Sequence, residues 1–312
     1  MDDVHGREPG AGADPAQLAA RPGRFAVGVI GTGRVGPVLG AALARAGHRV
    51  VAGCGVSDRS RRRADELLPG VPLLSAADVA ERADLLLLTV PDDVLRTVAE
   101  GLVSTGAIRA GQVVIHASGR YGIGVLDAVR DCGALPLALH PVMTFTGTEV
   151  DLARLAGCCF GITAPDPFRP MAETLVVEMG GEPEWIAEDL RPLYHAALAF
   201  GANSLVTLVA QAAELLTAGG VQEPARMLAP LLGAALDNAL RSGDQALTGP
   251  VARGDAATVA AHLAELGRIA PDSPVRAAYL AMARLTADRA LAAGVLPADK
   301  AEPLLDVLGG QR

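Results

Sequence analysis

The chain has 312 residues, half of them hydrophobic and a fifth charged, with a formal net charge of −8. At ~100–200 residues per domain this length gives two domains, and the apolar half excludes a wholly disordered chain. The acidic balance argues against a nucleic-acid surface, which needs a clustered basic excess. Lys300 is the only lysine among 27 basic residues. The body of the chain therefore has no lysine for a Schiff base, a phosphate contact or general acid catalysis. Acid–base chemistry falls to the six histidines, the carboxylates, Tyr or Cys. Cys54, Cys132, Cys158 and Cys159 form no C-x-x-C pair, so we expect no metal site and a reduced, cytoplasmic setting.

Residues 1–23 are rich in Gly, Ala, Pro and Asp and read as a disordered tail, without the apolar core of a signal peptide. From Phe25 the pattern changes. FAVGVI, RVVAGCGV, ADLLLLTV (83–90), GQVVIHAS (111–118), ALPLALH (134–140) and CCFGIT (158–163) are short apolar runs that read as strands. Helical segments alternate with them, PVLGAALARAG after the first run and VLRTVAEGL after the third among them. This alternation predicts βαβ units and a doubly wound parallel α/β sheet. From Leu190 onward the sequence is almost continuously helical, with breaks at 219–220, 243–253 and 271–274. The expected organisation is a Rossmann-type dinucleotide-binding domain over 24–187 and an all-helical domain over 188–312. The stretch from Ala196 to about Leu216 is interrupted by Asn203, Gln211 and Glu214. It reads as a buried helix rather than a membrane span.

Gly31-Thr32-Gly33-Arg34-Val35-Gly36 matches G-x-G-x-x-G, after an apolar strand and at the start of a helix. Gly31 suits a tight turn, Gly33 a close approach of backbone N–H groups to a pyrophosphate, and Gly36 close helix–strand packing. The helix start adds positive partial charge. At the tip of the second strand stand Ser57, Asp58, Arg59 and Ser60, then three more arginines. An acidic residue there favours NAD, whereas Ser57, Arg59 and Ser60 would hold a 2′-phosphate; the arginines tilt the expectation to NADP over NAD.

Ligands of open α/β sheets bind beyond the C-terminal strand ends. That rule selects Val90 and Pro91 beside the nicotinamide half of the cofactor, Ser118 and Gly119 after the fourth strand, and His140 after the fifth. His116, inside a strand, reads as packing. On the first helix of the helical half, His195, Ala199, Asn203, Thr207 and Gln211 recur every fourth residue and form a polar stripe. His195 and Asn203 are the cleft candidates. In LTGPVARGD (247–255), Arg253 suits a bidentate clamp on an acid group and Asp255 an N-cap; helix-connector chemistry explains the run equally well.

GVIGTGRVG, TVPDD, HASG, HPVMTF, YHAALAFGANSL and LTGPVARGD, in this order, resemble the two-domain family with an N-terminal Rossmann-like NADP-oxidoreductase domain and a C-terminal DUF2520 domain, over about residues 25–312. The chain is similar by extension to pyrroline-5-carboxylate reductases, 6-phosphogluconate and β-hydroxyacid dehydrogenases and ketopantoate reductases. Its His-Pro-Val-Met run is also similar to the His-Pro-Met run of prephenate dehydrogenases. The resemblance implies a nicotinamide oxidoreductase whose helical domain closes the substrate site and often dimerises, with ketopantoate the first candidate substrate. One departure stands out. The better-known ketopantoate reductases and β-hydroxyacid dehydrogenases use a lysine on the first interdomain helix, where this chain has His195. The resulting expectation is hydride transfer from NADPH to a small 2-oxo acid. A protonated His140 or His195 is the proton donor, with Asn203 and Ser118 on the polarised oxygen or the carboxylate. Thr248 or Arg253 anchors the acid end. The rival readings are a prephenate-type or imine dehydrogenase or reductase, and a non-catalytic NADP-binding regulator. A homodimer is expected, with no nucleic-acid or membrane partner.

Overall fold

The computed structural model describes residues 23–271 and 273–309; apart from Gly23, the expected tail lies outside the described residues. Seven strands form one sheet in the order β2-β1-β3-β4-β5-β6-β7. They are β1 (Ala26–Ile30), β2 (Arg49–Cys54), β3 (Leu85–Leu88), β4 (Val113–His116), β5 (Leu135–Pro141), β6 (Cys159–Thr163) and β7 (Glu182–Trp185). β1 to β5 are mutually parallel. β6 runs antiparallel to β5 and parallel to β7. The sheet is thus mostly parallel, with a reversed edge that the alternation of runs did not reveal. β7, with the sequence Glu-Pro-Glu-Trp, is an edge strand with an exposed face, so it lacks the apolar run by which the other strands were recognised.

The helices around the sheet are α1 (Gly36–Arg45), α2 (Asp58–Leu67), α3 (Ala76–Arg82), α4 (Asp92–Ser104), α5 (Asp127–Asp131), α6 (Glu149–Arg154) and α7 (Arg169–Glu178). Leu85 to Leu88 show why β3 reads as an unbroken apolar run. Leu85 and Leu87 enter the core on one face of the sheet with Val27, Val29 and Phe160, while Leu86 and Leu88 enter the core on the other with Ile30, Val114 and Leu126. A parallel strand covered on both faces needs no polar alternation.

The remaining helices are α8 (Arg191–Ala218), α9 (Pro224–Ser242), α10 (Gly249–Ala252), α11 (Ala256–Ile269), α12 (Val275–Ala292) and α13 (Ala298–Gly309). The chain forms two compact units, 1–200 and 201–312. The division falls inside α8 rather than at the expected 187/188, because the first turns of α8 are bonded to the sheet through the wholly buried Arg191. In the second unit Val251, Val259, Leu263, Leu280, Ala287 and Leu304 make a small core among α10 to α13. The expectation that α8 is buried is overturned. Leu205, Val206 and Leu208 are exposed, as are Met227, Leu231, Leu236 and Leu240 of α9. By length and composition α8 with its preceding turn is apolar enough to cross a membrane, and none of that window is buried within the chain.

Candidate active site

The C-terminal ends of β1, β3, β4 and β5 lie along one edge of the sheet, and the candidate residues of the first unit follow from that. After β1, Gly31 takes φ +100°, and a Cβ there would lie 2.6 Å from the Thr89 backbone. The turn is anchored from both neighbours. The N–H groups of Gly31 and Thr32 donate to the Cys54 carbonyl at the end of β2, and the Thr89 hydroxyl donates to the Gly31 carbonyl at 2.7 Å. A Cβ on Gly36 would meet the Thr89 hydroxyl at 2.3 Å and the Gly31 carbonyl at 2.4 Å, so α1 packs directly against the turn. Gly33 differs: nothing lies within 4 Å of its Cβ position.

Three further observations fit a dinucleotide here. No side chain caps the start of α1, whose N-cap is Val35, so its first N–H groups have no side-chain acceptor and can take a phosphate. The Thr32 hydroxyl is buried and the only side-chain polar atom of its kind without a partner among the described residues. It lies 2.1 Å from where a Cβ on Gly55 would stand. Arg34 is exposed beside the turn. At the tip of β2, Ser57 caps α2 by accepting from the Ser60 N–H, and the Ser60 hydroxyl donates back to the Ser57 carbonyl at 2.7 Å. Both hydroxyls thus serve the capping box. Arg59, Arg61 and Arg62 are all exposed at this tip, and the Arg61 Nε donates to the Gly55 carbonyl at 3.3 Å. Val90 lies two residues beyond β3 and its nitrogen is 2.9 Å from the Gly31 Cβ position; Pro91 is the N-cap of α4.

Farther along the same edge the imidazoles meet. The rings of His140, on β5, and His195, on α8, stand edge to face with centroids 6.2 Å apart. Both border Gly119: a Cβ there would lie 2.7 Å from His195 Cδ2 and 2.8 Å from His140 Nε2. Tyr194, which sequence reasoning missed, fixes the His140 ring. Its hydroxyl lies 2.8 Å from His140 Nδ1. We assign the phenol as donor to Nδ1, the tautomer that places the His140 proton on Nε2, toward Gly119. Burial raises the Tyr194 pKa to about 12, so the phenol keeps its proton.

Arg191 was also missed. Its guanidinium donates to the Thr163 hydroxyl at 2.8 Å and to the carbonyls of Gly161, Ala138 and Ser118 at 3.0, 3.2 and 3.4 Å. Burial, then the charges of Arg191, His195 and His116, lower the His140 pKa to about 4. The expected imidazolium at position 140 is therefore corrected: with its pKa lowered this far, the His140 ring is neutral at neutral pH. His116 is wholly buried with its Nε2 on the Gly122 carbonyl and its Nδ1 accepting from the Ser118 N–H, a structural role as expected. The Ser118 hydroxyl accepts from the Tyr121 N–H. An arginine opening a polar-striped helix and a Tyr-His pair were the available signals for Arg191 and Tyr194. Arginine is so abundant in this chain that one more carried no contrast.

Asn203 lies two turns beyond His195 on α8 and is exposed; its carbonyl accepts from the Thr207 hydroxyl. In the second unit, Thr248 is the N-cap of α10 and helps line a cavity of about 310 Å³ with Pro250, His262, Tyr279 and Met282. Arg253 is exposed at the end of that helix. Asp255 caps α11, as its position suggested, by accepting from the Thr258 N–H.

Two family models match the chain: a Rossmann-like domain over residues 11–141 and a domain of unknown function, DUF2520, over 158–286. No curated protein matches. Among solved structures, a candidate NADP oxidoreductase of Bacteroides fragilis is 21% identical with a TM-score of 0.72, over 85% of this chain and 98% of its own. A protein of Thermotoga maritima is 21% identical with a TM-score of 0.64, over the same shares. A pyrroline carboxylate reductase of Plasmodium falciparum with NADP bound is 12% identical with a TM-score of 0.53, again over 85% and 98%. At these identities the likeness establishes a common fold, carried over nearly the whole of each neighbour. The chain thus matches a Rossmann-like domain in its first half and a DUF2520 domain in its second.

Proposed function

We propose that the chain is an NADP-dependent oxidoreductase that reduces a small 2-oxo acid, with ketopantoate the first candidate substrate. One observation carries the reading: the anchored, open glycine turn and the His140–His195 pair over Gly119 occupy the same edge of one sheet. NADPH, when bound, supplies hydride from the nicotinamide ring. Gly31 to Gly36 and the start of α1 hold its pyrophosphate, and Arg59 with Arg61 favours the 2′-phosphate over a bare ribose. His140 donates its Nε2–H to the substrate oxygen as negative charge develops there, and His195 supplies the proton. Asn203 and Ser118 are proposed to bind the polarised oxygen or the carboxylate, with Thr248 or Arg253 the alternative anchor of the acid end; each is tested by a rise in KM with kcat retained.

The unpartnered apolar faces of α8 and α9 support a homodimer. Asn203, Gln211 and Glu214 along α8 favour a protein partner and a cytoplasmic setting over a lipid one, because polar groups in a bilayer are expensive. The deciding assay is oxidation of NADPH and of NADH over a panel of 2-oxo acids, ketopantoate included, and cyclic imines. We expect turnover of a 2-oxo acid with NADPH preferred. Replacing the true donor by Ala should lower kcat by ~10²–10⁴-fold while NADPH still binds. If His140→Ala and His195→Ala both keep near-normal turnover, the assignment fails. Tight NADPH binding without any turnover would leave a cofactor-sensing regulator instead.

A further inference from the structure

Arg191 is 0% exposed, yet every acceptor of its guanidinium is a neutral oxygen. No carboxylate lies within ion-pair distance of it among the described residues; Glu188, whose charge acts on Arg191 through space, accepts from the N–H groups of Ile123 and Gly124 instead. Burying a charge without a counter-ion costs several kcal/mol even in a relaxed protein, and hydrogen bonds to neutral carbonyls offset only part of it. A second observation lies one peptide away. The Ser118 carbonyl accepts from Arg191 and the Ser118–Gly119 bond is trans, so the Gly119 N–H points away from the cation. Gly119 is buried, and its N–H has no acceptor among the described residues. A carbonyl that accepts from a cation polarises its own peptide and makes that N–H a stronger donor.

We propose that the Ser118–Gly119 peptide, polarised from behind by Arg191, is the seat of a small anionic group and that the carboxylate of the substrate is the counter-ion the site lacks. The inference rests on the oxidoreductase reading for the word substrate, and on geometry for the anion. The groups beside Gly119 are His140 from β5 and His195 from α8, with Tyr194 behind His140 and His116 on the Ser118 N–H. None of these carries a negative charge at neutral pH, and the Glu188 carboxylate is held by the Ile123 and Gly124 N–H groups. Arg191 acts here as a positioning residue: it touches the Ser118 carbonyl and not the ligand.

The test uses the full chain with saturating NADP and two probes of nearly equal shape, the anion oxamate and its neutral counterpart oxamide, measured by calorimetry. We expect oxamate to bind at least about tenfold more tightly, which is ~1.4 kcal/mol. Arg191→Met should erase that preference and raise the titration midpoint of His140, followed by imidazole NMR, by about one pH unit. Should Arg191→Met fail to fold, Arg191→Lys, which keeps the charge, must retain the preference. Equal affinity for the two probes, no binding of oxamate, or an undiminished preference in folded Arg191→Met overturns the proposal. The two readings fail separately. Neutral ketones reduced as efficiently as 2-oxo acids would sink the anion seat and leave the reductase, whereas oxamate preference without any NADPH turnover would do the reverse.

Discussion

The two units solve the same problem, where to put apolar surface, in different ways. In the first, each apolar strand is covered on both faces, and Val27, Leu85, Leu86 and Phe160 are all at 0% exposure. In the second, α10 to α13 close a core of their own while α9 leaves Leu231 64% and Leu240 80% exposed. An apolar pattern therefore means interior in the sheet unit and a surface awaiting cover in the helical one. A sequence records that a face is apolar. It does not record whether the cover comes from the same chain.

The largest effect that sharpens this contrast is expected at the glycine turn, where packing is tightest. Gly31→Ala would combine a left-handed backbone, at ~1–2 kcal/mol, with overlap against the Thr89 backbone at 2.6 Å, at ~1–3 kcal/mol more. Denaturant unfolding should show a loss of about 2–5 kcal/mol. Gly33→Ala meets nothing within 4 Å, so it should leave stability within about 0.5 kcal/mol and instead weaken NADPH binding, read by fluorescence. Equal destabilisation by both would mean that the space above Gly33 is not kept for a ligand.

Next in size is a pH effect confined to the sheet unit. Burial holds the pKa of both His116 and His140 at about 4, against 6.5 in the unfolded chain. Between those values the unfolded chain binds more protons, so acid favours it. Stability should be complete above pH 6.5 and fall as pH drops toward 4, by roughly 3 kcal/mol for each imidazole. Urea midpoints measured across pH 4–8 check this, and His140→Gln should remove one share of the slope. A profile as steep in the variant as in the parent would show that His140 is not held neutral.

How much of this was readable in advance follows the same division. The glycine turn, the apolar strand runs and the Asp255 cap were legible because each is set by neighbours within a few residues. His140 was legible from a topological rule, since a residue at the end of a parallel strand faces the ligand edge. Arg191 and Tyr194 were not. Their roles arise from β4, β5 and β6, which lie far from them in sequence, and arginines are too numerous in this chain for one to stand out. The reversal of β6 was equally hidden, because an apolar run such as CFGIT carries no sign of its direction. The exposure of α8 was missed because an apolar helix reads the same whether its partner is internal or external.

That last ambiguity sets a paired test in the helical unit. Leu263→Ala, in the closed core, should cost about 2–5 kcal/mol whatever the state of assembly. Leu240→Glu, on the open face, should leave the fold of a monomer within about 0.5 kcal/mol and lower the apparent mass of the assembly by analytical ultracentrifugation. If Leu240→Glu changes neither mass nor stability, the open face of α9 is not the contact between copies.

The smallest expected effect belongs to the helix start within the closed core of the second unit. Asp255 accepts from the Thr258 N–H at 3.1 Å and from its hydroxyl at 2.7 Å, and its pKa is lowered by those two bonds. Asp255→Ala should lower the thermal midpoint slightly by loss of the cap, while Asp255→Asn keeps the acceptor and should lower it less. The competing idea is that LTGPVARGD exists to bind a ligand. On that idea Asp255→Ala would disturb substrate binding through Arg253 next to the turn. The two are separable because a capping role moves the thermal midpoint and leaves KM alone, whereas a ligand role moves KM. Gly254 supports the capping side: it takes φ +71°, and a Cβ on it would meet Lys300 Cβ at 2.5 Å, so the turn is shaped by the packing of α13 as well as by any ligand.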